Sequence, residues 1–334
     1  MGIFGMSNAP SGGKLPTYRE LERVDGTPCA WSVWGNGDVL GALNLLTPER
    51  AAAAASIVRT GEVFALNWSV AQPDPPLFHR ERFENEISSN IISSDDHIKA
   101  FNTQGSSQWD GFRHIRHPIH GHFSGESAEG TLGVDHWAKR GIVGRGILAD
   151  VGAHRESAGR PFDMTVCEPV AFSEVLETLD SQGTQIETGD ILLIRIGWLG
   201  WYEGLAEAAR NEIADMTKLS YPGLSPGEST VAGLWDAHVA AVACDNPSLE
   251  AWPPGSQLGG NSRDEWFKDP ATIEESFAHT MLLPMLGIPI GEMFVLDALA
   301  QACAADGSYE FMFTSAPLNI PRGVASPPNA LAIK

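Results

Sequence analysis

Three stretches of this 334-residue chain, residues 146–151, 190–197 and 239–244, are continuous apolar runs bounded by turn residues. The middle one reads Ile191-Leu192-Leu193-Ile194-Arg195-Ile196, with none of the polar alternation of a half-exposed strand. Such strands are covered on both faces, as in a central sheet with helices packed over it. Helical segments are expected between and after them, at residues 172–179, 204–213 and 296–304, the last stopping ahead of Gly307. Earlier in the chain, Thr47-Pro48-Glu49 precedes the alanines at 51–55, so a capping hydroxyl, a first-turn proline and a dipole-favoured acid predict a helix that ends by Gly61. Residues 63–70 alternate, placing Phe64, Leu66, Trp68 and Val70 on one face of a strand, and residues 309–314 give a last strand. No repeat or long polar linker divides the chain. The expectation is one α/β domain with long loops over residues 17–334, preceded by a loose arm over residues 1–16.

Composition narrows the function. The chain has 22 Lys+Arg against 42 Asp+Glu, a formal net charge of -20, which repels nucleic acid and anionic lipid surfaces. No run approaches the ~18 to 20 apolar residues of a membrane span, and the N-terminus lacks a signal-type apolar core. Cys29, Cys167, Cys244 and Cys303 lie far apart and form no CxxC pair. These features predict a cytoplasmic protein with buried thiols that acts on a small molecule. With 35 Gly and 22 Pro, its turns and loops carry the site.

The densest chemical cluster is Gln104-Gly105-Ser106-Ser107-Gln108-Trp109-Asp110-Gly111-Phe112-Arg113-His114, followed by His117, His120 and His122. If the segment is extended, Gln108 and Asp110 share one face and aim two oxygens at one point. Trp109 and Phe112 offer an apolar wall for a ring-shaped substrate. Arg113 and Arg116 are candidates for a substrate carboxylate. His120-x-His122 could also chelate a metal if it lies on a strand, where both rings would point the same way. Arg195, inside an apolar strand, requires an acidic partner and reads as structural. Cys244, with no histidine in relation to it, is discounted as a nucleophile.

The frame Gln104-x3-Gln108-x-Asp110-x3-His114 resembles the signature His-x-Gly-Thr-His-x-Asp-x-Pro-x-His of the cyclase family of metal-dependent hydrolases, which includes bacterial kynurenine formamidase and isatin hydrolase. The Asp and the last His match, and both leading histidines are Gln. Later, His279 to Glu292 resembles the family's second ligand pair, around Leu282-Leu283 and Gly287. Trp34-Gly35, Gly189-Asp190-Ile191, Cys244-Asp245-Asn246-Pro247 and Pro317-Leu318-Asn319 extend the resemblance over most of the chain, which is similar to a Gln-containing branch near trans-dienelactone hydrolase.

The resemblance implies a swivelling β/β/α fold and a homo-oligomer, a dimer or tetramer. It also implies a hydrolase that opens a lactone, a cyclic amide or a related carbonyl compound. Asp110, His279 and Glu292 would hold one divalent metal ion, with Gln108 and Gln104 adding neutral oxygens, and His114 would be the general base. Amide oxygen in place of imidazole shifts preference from Zn2+ toward Mn2+ or Mg2+. Two alternatives stay open at this point: a metal-independent enzyme using the Gln amides and His114 directly, and a binding protein that kept the scaffold and lost turnover.

Overall fold

The computed structural model describes residues 14–35, 37–125, 130–255 and 270–334. Its main sheet has nine strands: Val63–Ala65 (β1), Gln108–Asp110 (β2), Ile142–Asp150 (β3), Ile191–Arg195 (β4), Ala241–Cys244 (β5), Ile290–Glu292 (β6), Glu310–Ser315 (β7), Ala325–Ser326 (β8) and Ala330–Ile333 (β9). They lie in the order β8-β2-β6-β5-β4-β3-β7-β9-β1. The three apolar runs are the adjacent parallel strands β3, β4 and β5, and β6 extends the parallel set. Antiparallel strands flank this centre on both sides. The side chains of Ile191 to Ile194 and of Ala241 to Cys244 are fully buried, as an apolar run without alternation requires. This is an α/β fold in one domain, and a hydrophobic cluster reaching from Leu15 to Ala332 forms its core.

The alanine helix occupies Pro48–Ala55 (α1), with the Thr47 hydroxyl accepting from the Arg50 amide at 3.4 Å, and packs on β3. Further helices span Phe172–Ser181 (α2), Glu228–Asp236 (α3) and Asp297–Asp306 (α4). The helix expected over 204–213 is instead two, Trp198–Glu203 and Glu207–Ile213, with Gly204 at the break between them. The strand expected over 63–70 is shorter, Val63–Ala65. Leu66 and Trp68 keep the buried alternation, and the Leu66 amide still bonds the Ala330 carbonyl at 3.0 Å, but β9 begins at Ala330, so the ladder to it ends there and Val70 is exposed.

Of the arm expected over residues 1–16, residues 1–13 lie outside the described residues. Leu15 is buried, and the Pro16 carbonyl accepts from Trp235 Nε1 at 2.9 Å, so the chain is already packed at that point. Arg195 meets Asp150 at 2.8 Å and Asp297 at 2.5 Å, the acidic partners its place in the strand demands. The four cysteines are free, and burial pushes the Cys244 thiol well above its ordinary range. Among the described residues no helix is long and apolar enough to cross a membrane.

Candidate metal centre

β2 and β6 pair antiparallel, with Gln108 opposite Glu292 and Asp110 opposite Ile290. Cross-strand partners point to the same face, and so do residues two apart. Gln108, Asp110 and Glu292 therefore rise together from one side of the sheet. Trp109 goes to the other side, its ring 5.1 Å from that of Phe294, and its Nε1 donates to Ser315 Oγ at 2.9 Å. Gly291 makes room for it: a Cβ there would stand 3.0 Å from the Trp109 ring and 2.6 Å from Ala243 Cβ.

His279 reaches this face from a different element. It opens the short helix His279–Met281, which runs into a π-helical turn, Leu282–Leu286, closed by the left-handed Gly287, and the chain then enters β6. The imidazole Nε2 lies 3.1 Å from Glu292 Oε1 and 3.6 Å from Asp110 Oδ2. One ligating atom from each of Asp110, His279 and Glu292 lies within 4.8 Å of the others, and all three residues are buried. Among the described residues this is the set of three metal-ligating side chains that converges. The far ring nitrogen, Nδ1, lies 2.7 Å from Glu250 Oε2, and Glu250 Oε1 accepts the His279 backbone N–H at 2.9 Å.

Burial disfavours charge on the Asp110 carboxyl, but His114, His279 and Arg80 outweigh it and hold the group below its usual range. Burial, and then the Asp110 charge, push Glu292 up to about 7. Burial opposes protonation of His279, yet the charge of Glu250 first, and the nearby Asp110 and Glu292 carboxylates after it, raise that imidazole well above its ordinary value. Two buried carboxylates side by side call for positive charge, which a protonated His279 or a divalent cation supplies.

The fit to a cation is tested by what lacks a partner. Gln108 Nε2 donates to Glu292, whereas Gln108 Oε1 and Asp110 Oδ2 are buried and accept no hydrogen bond. Buried acceptors without donors demand an explanation. Two such oxygens beside an imidazole nitrogen and a second carboxylate make a donor set of the kind that binds divalent ions at roughly 2.0–2.2 Å. The residues present fit one ion.

Gln104 and His114 form the second half of the site. Gln104 Nε2 lies 2.7 Å from His114 Nδ1 and 3.3 Å from Asp110 Oδ1. His114 Nε2 is 3.9 Å from Asp110 Oδ1, and the side chain keeps 23% exposure, so it faces both the cluster and the solvent side. Burial lowers the His114 pKa, the Asp110 charge opposes this, and His279 and Arg80 add to the lowering, leaving a neutral ring at pH 7 that can accept a proton.

The remaining candidates do not join this group. Trp109 is fully buried behind the strand and cannot wall a substrate, a correction that follows from the same two-residue period that aligns Gln108 with Asp110. Phe112 is likewise core, its ring 4.7 Å from Phe123 and 5.0 Å from Trp137. Arg113 donates to the Arg322 carbonyl at 2.9 Å, and Arg116 is exposed. His120 and His122 are not on a strand: residues 117–121 form a tight turn in which His117 bridges Gly121, and His120 Nε2 faces Thr27 Oγ1 at 3.3 Å.

Two residues escaped the sequence reading. Arg80, which donates to the Gln104 carbonyl, leaves no pattern in a polar stretch. Glu250 lies three residues beyond the Cys244-Asp245-Asn246-Pro247 motif, and extending that motif would have reached it.

A family model described as "Putative cyclase" matches residues 49–251. The chain belongs to the cyclase family. Asp110, Gln108 and His114 fall within the matched span, and His279 and Glu292 lie beyond it. A solved structure of "a novel cyclase" is 28% identical, with a TM-score of 0.76, and the match covers 92% of this chain and 99% of that one. Isatin hydrolase A from Labrenzia aggregata, bound to benzyl benzoate, is 17% identical with a TM-score of 0.55, over 84% of this chain and 95% of that one. Isatin hydrolase A from Ralstonia solanacearum is 16% identical with a TM-score of 0.57, over 86% and 97%. At these identities the isatin hydrolases share the cyclase fold with this chain. Among curated proteins no sequence matches this chain.

Proposed function

We propose that this member of the cyclase family is a hydrolase that opens a lactone, a cyclic amide or a related carbonyl C–O or C–N bond, using one divalent cation and His114 as general base. The observation that carries the reading is the meeting of the Asp110, His279 and Glu292 donor atoms within 4.8 Å, beside two buried oxygens without donors. Asp110, His279 and Glu292 would hold the ion, and Gln108 Oε1 would add a neutral oxygen. A set with one nitrogen and several oxygens favours Mn2+ or Mg2+ alongside Zn2+. When bound, such an ion polarises a carbonyl and makes water more acidic.

The protein's own groups do the rest. His114, neutral and partly open to solvent, takes a proton from the attacking water as the water oxygen bonds to the carbonyl carbon. The Gln104 amide nitrogen, a donor, lies against Asp110 Oδ1 and against Nδ1, the lone-pair nitrogen of the neutral ring, so it holds the ring in place until the attacking water replaces it at Nδ1 and gives up its proton there. As the C–O or C–N bond breaks, the proton on His114 passes to the departing atom, so atoms and charge balance.

The test is a panel of lactones, cyclic imides and N-formyl amines, assayed before and after chelator dialysis with the metal content measured. His114→Ala is expected to lower kcat by about 10²–10⁴ while the protein stays folded and binds metal. Full activity at less than about a tenth of an equivalent of metal would overturn the reading.

A further inference from the structure

We propose that Glu250 is a positioning residue of the ion site, fixing His279 as the tautomer that carries its proton on Nδ1 and turns the Nε2 lone pair toward Asp110 and Glu292. The inference rests on the ion-binding reading above. Glu250 and His279 are both buried, 2% and 1% exposed. The Glu250 carboxylate holds His279 twice, at the backbone N–H (2.9 Å) and at Nδ1 (2.7 Å from Oε2 and 2.9 Å from Oε1). A carboxylate can only accept from an imidazole, so the nitrogen facing it must carry hydrogen. The opposite nitrogen faces Glu292 at 3.1 Å and Asp110 at 3.6 Å, so by the same rule it too holds a hydrogen until a divalent cation held by those carboxylates displaces that proton and meets the Nε2 lone pair, the Nδ1 proton staying bonded to Glu250.

The loop that presents Glu250 is pinned independently of His279. Asn246 Nδ2 donates to the carbonyls of Pro222 (2.9 Å) and Leu249 (3.2 Å), and the Asp245 carboxylate accepts from the amides of Ile196 and Gly197 at 2.7 Å each. Glu250 therefore meets His279 from a fixed position. A carboxylate behind a ligating imidazole orients the ring and strengthens it as a donor, and losing one weakens metal affinity by about 10–100-fold.

The experiment measures Zn2+ affinity by competition with a chelating dye on the full chain, for the wild type, Glu250→Ala, Glu250→Gln, Asp110→Asn and Glu292→Gln. In parallel, the ring nitrogens of His279 are read by 15N NMR in the Zn2+-loaded wild type. Expected are Zn2+ binding weakened about 10–100-fold in Glu250→Ala, a smaller loss in Glu250→Gln, which keeps an acceptor but not the charge, and a His279 ring protonated on Nδ1. If Asp110→Asn and Glu292→Gln bind Zn2+ like the wild type, the ion site itself is refuted. If those two lose Zn2+ while Glu250→Gln and Glu250→Ala retain wild-type affinity, the role of Glu250 is refuted and the ion site stands. Should Glu250→Ala fail to fold, a loaded wild-type ring protonated on Nε2 overturns the inference by itself.

Discussion

Gly41→Ala is expected to cost the protein about 2–5 kcal/mol of stability and to loosen the ion site with it. Gly41 has φ +54°, and a Cβ there would stand 2.2 Å from the Gly287 carbonyl oxygen and 2.7 Å from Phe112 Cζ. The left-handed backbone alone costs a non-glycine residue roughly 1–2 kcal/mol. The carbonyl contact is with backbone, which no rotamer change relieves, so the two loops must part. Parting them breaks the Ala42 N–H to Gly287 carbonyl bond of 2.7 Å, worth about 1 kcal/mol when made and up to roughly 3 when its buried partners are left unsatisfied.

Gly287 closes the turn between His279 and Glu292, so the displacement reaches both. The assay is urea denaturation of Gly41→Ala and of Gly61→Ala, followed by Zn2+ titration of the folded proteins. Gly61 has φ +75° with nothing within 4 Å of its Cβ position, and isolates the backbone cost. Equal losses in the two variants, or a Gly41→Ala protein with wild-type Zn2+ affinity, would refute the reasoning.

Two more outcomes follow from the core and from buried acids. Trp109→Ala is expected to lose about 3–5 kcal/mol of stability as a core cavity mutant, while Trp109→Phe retains KM. A large KM rise in a stable Trp109→Phe protein would return Trp109 to the substrate wall. Burial pushes Asp190 up to about 6, so its contribution to stability is fullest below about pH 4 and is lost as pH rises through 6. Between pH 4 and pH 8, Asp190→Asn should therefore gain on the wild type by roughly 3 kcal/mol, read from urea midpoints at each pH. A difference between the two that does not change with pH would contradict this.

What could be read from the chain were the features set by local periodicity. The buried strands β3, β4 and β5 announce themselves because a strand covered on both faces has no place for alternating polar residues. α1 announces itself through Thr47-Pro48. The shared face of Gln108 and Asp110 follows from the two-residue period of an extended backbone, and that same period sends Trp109 into the core. β2, β6 and β8, two or three residues each, are too short to carry a pattern. They form because neighbouring strands supply the hydrogen-bond partners.

The meeting of Gln108 with Glu292 joins residues 184 apart in the chain, and that of His279 with Glu250 joins residues 29 apart through separate loops. Neither encounter is encoded at the residues themselves. Register across a nine-stranded sheet decides the first and the close approach of Gly41 to Gly287 helps fix the second, because a long-range contact is specified only by the packing of everything between its two ends.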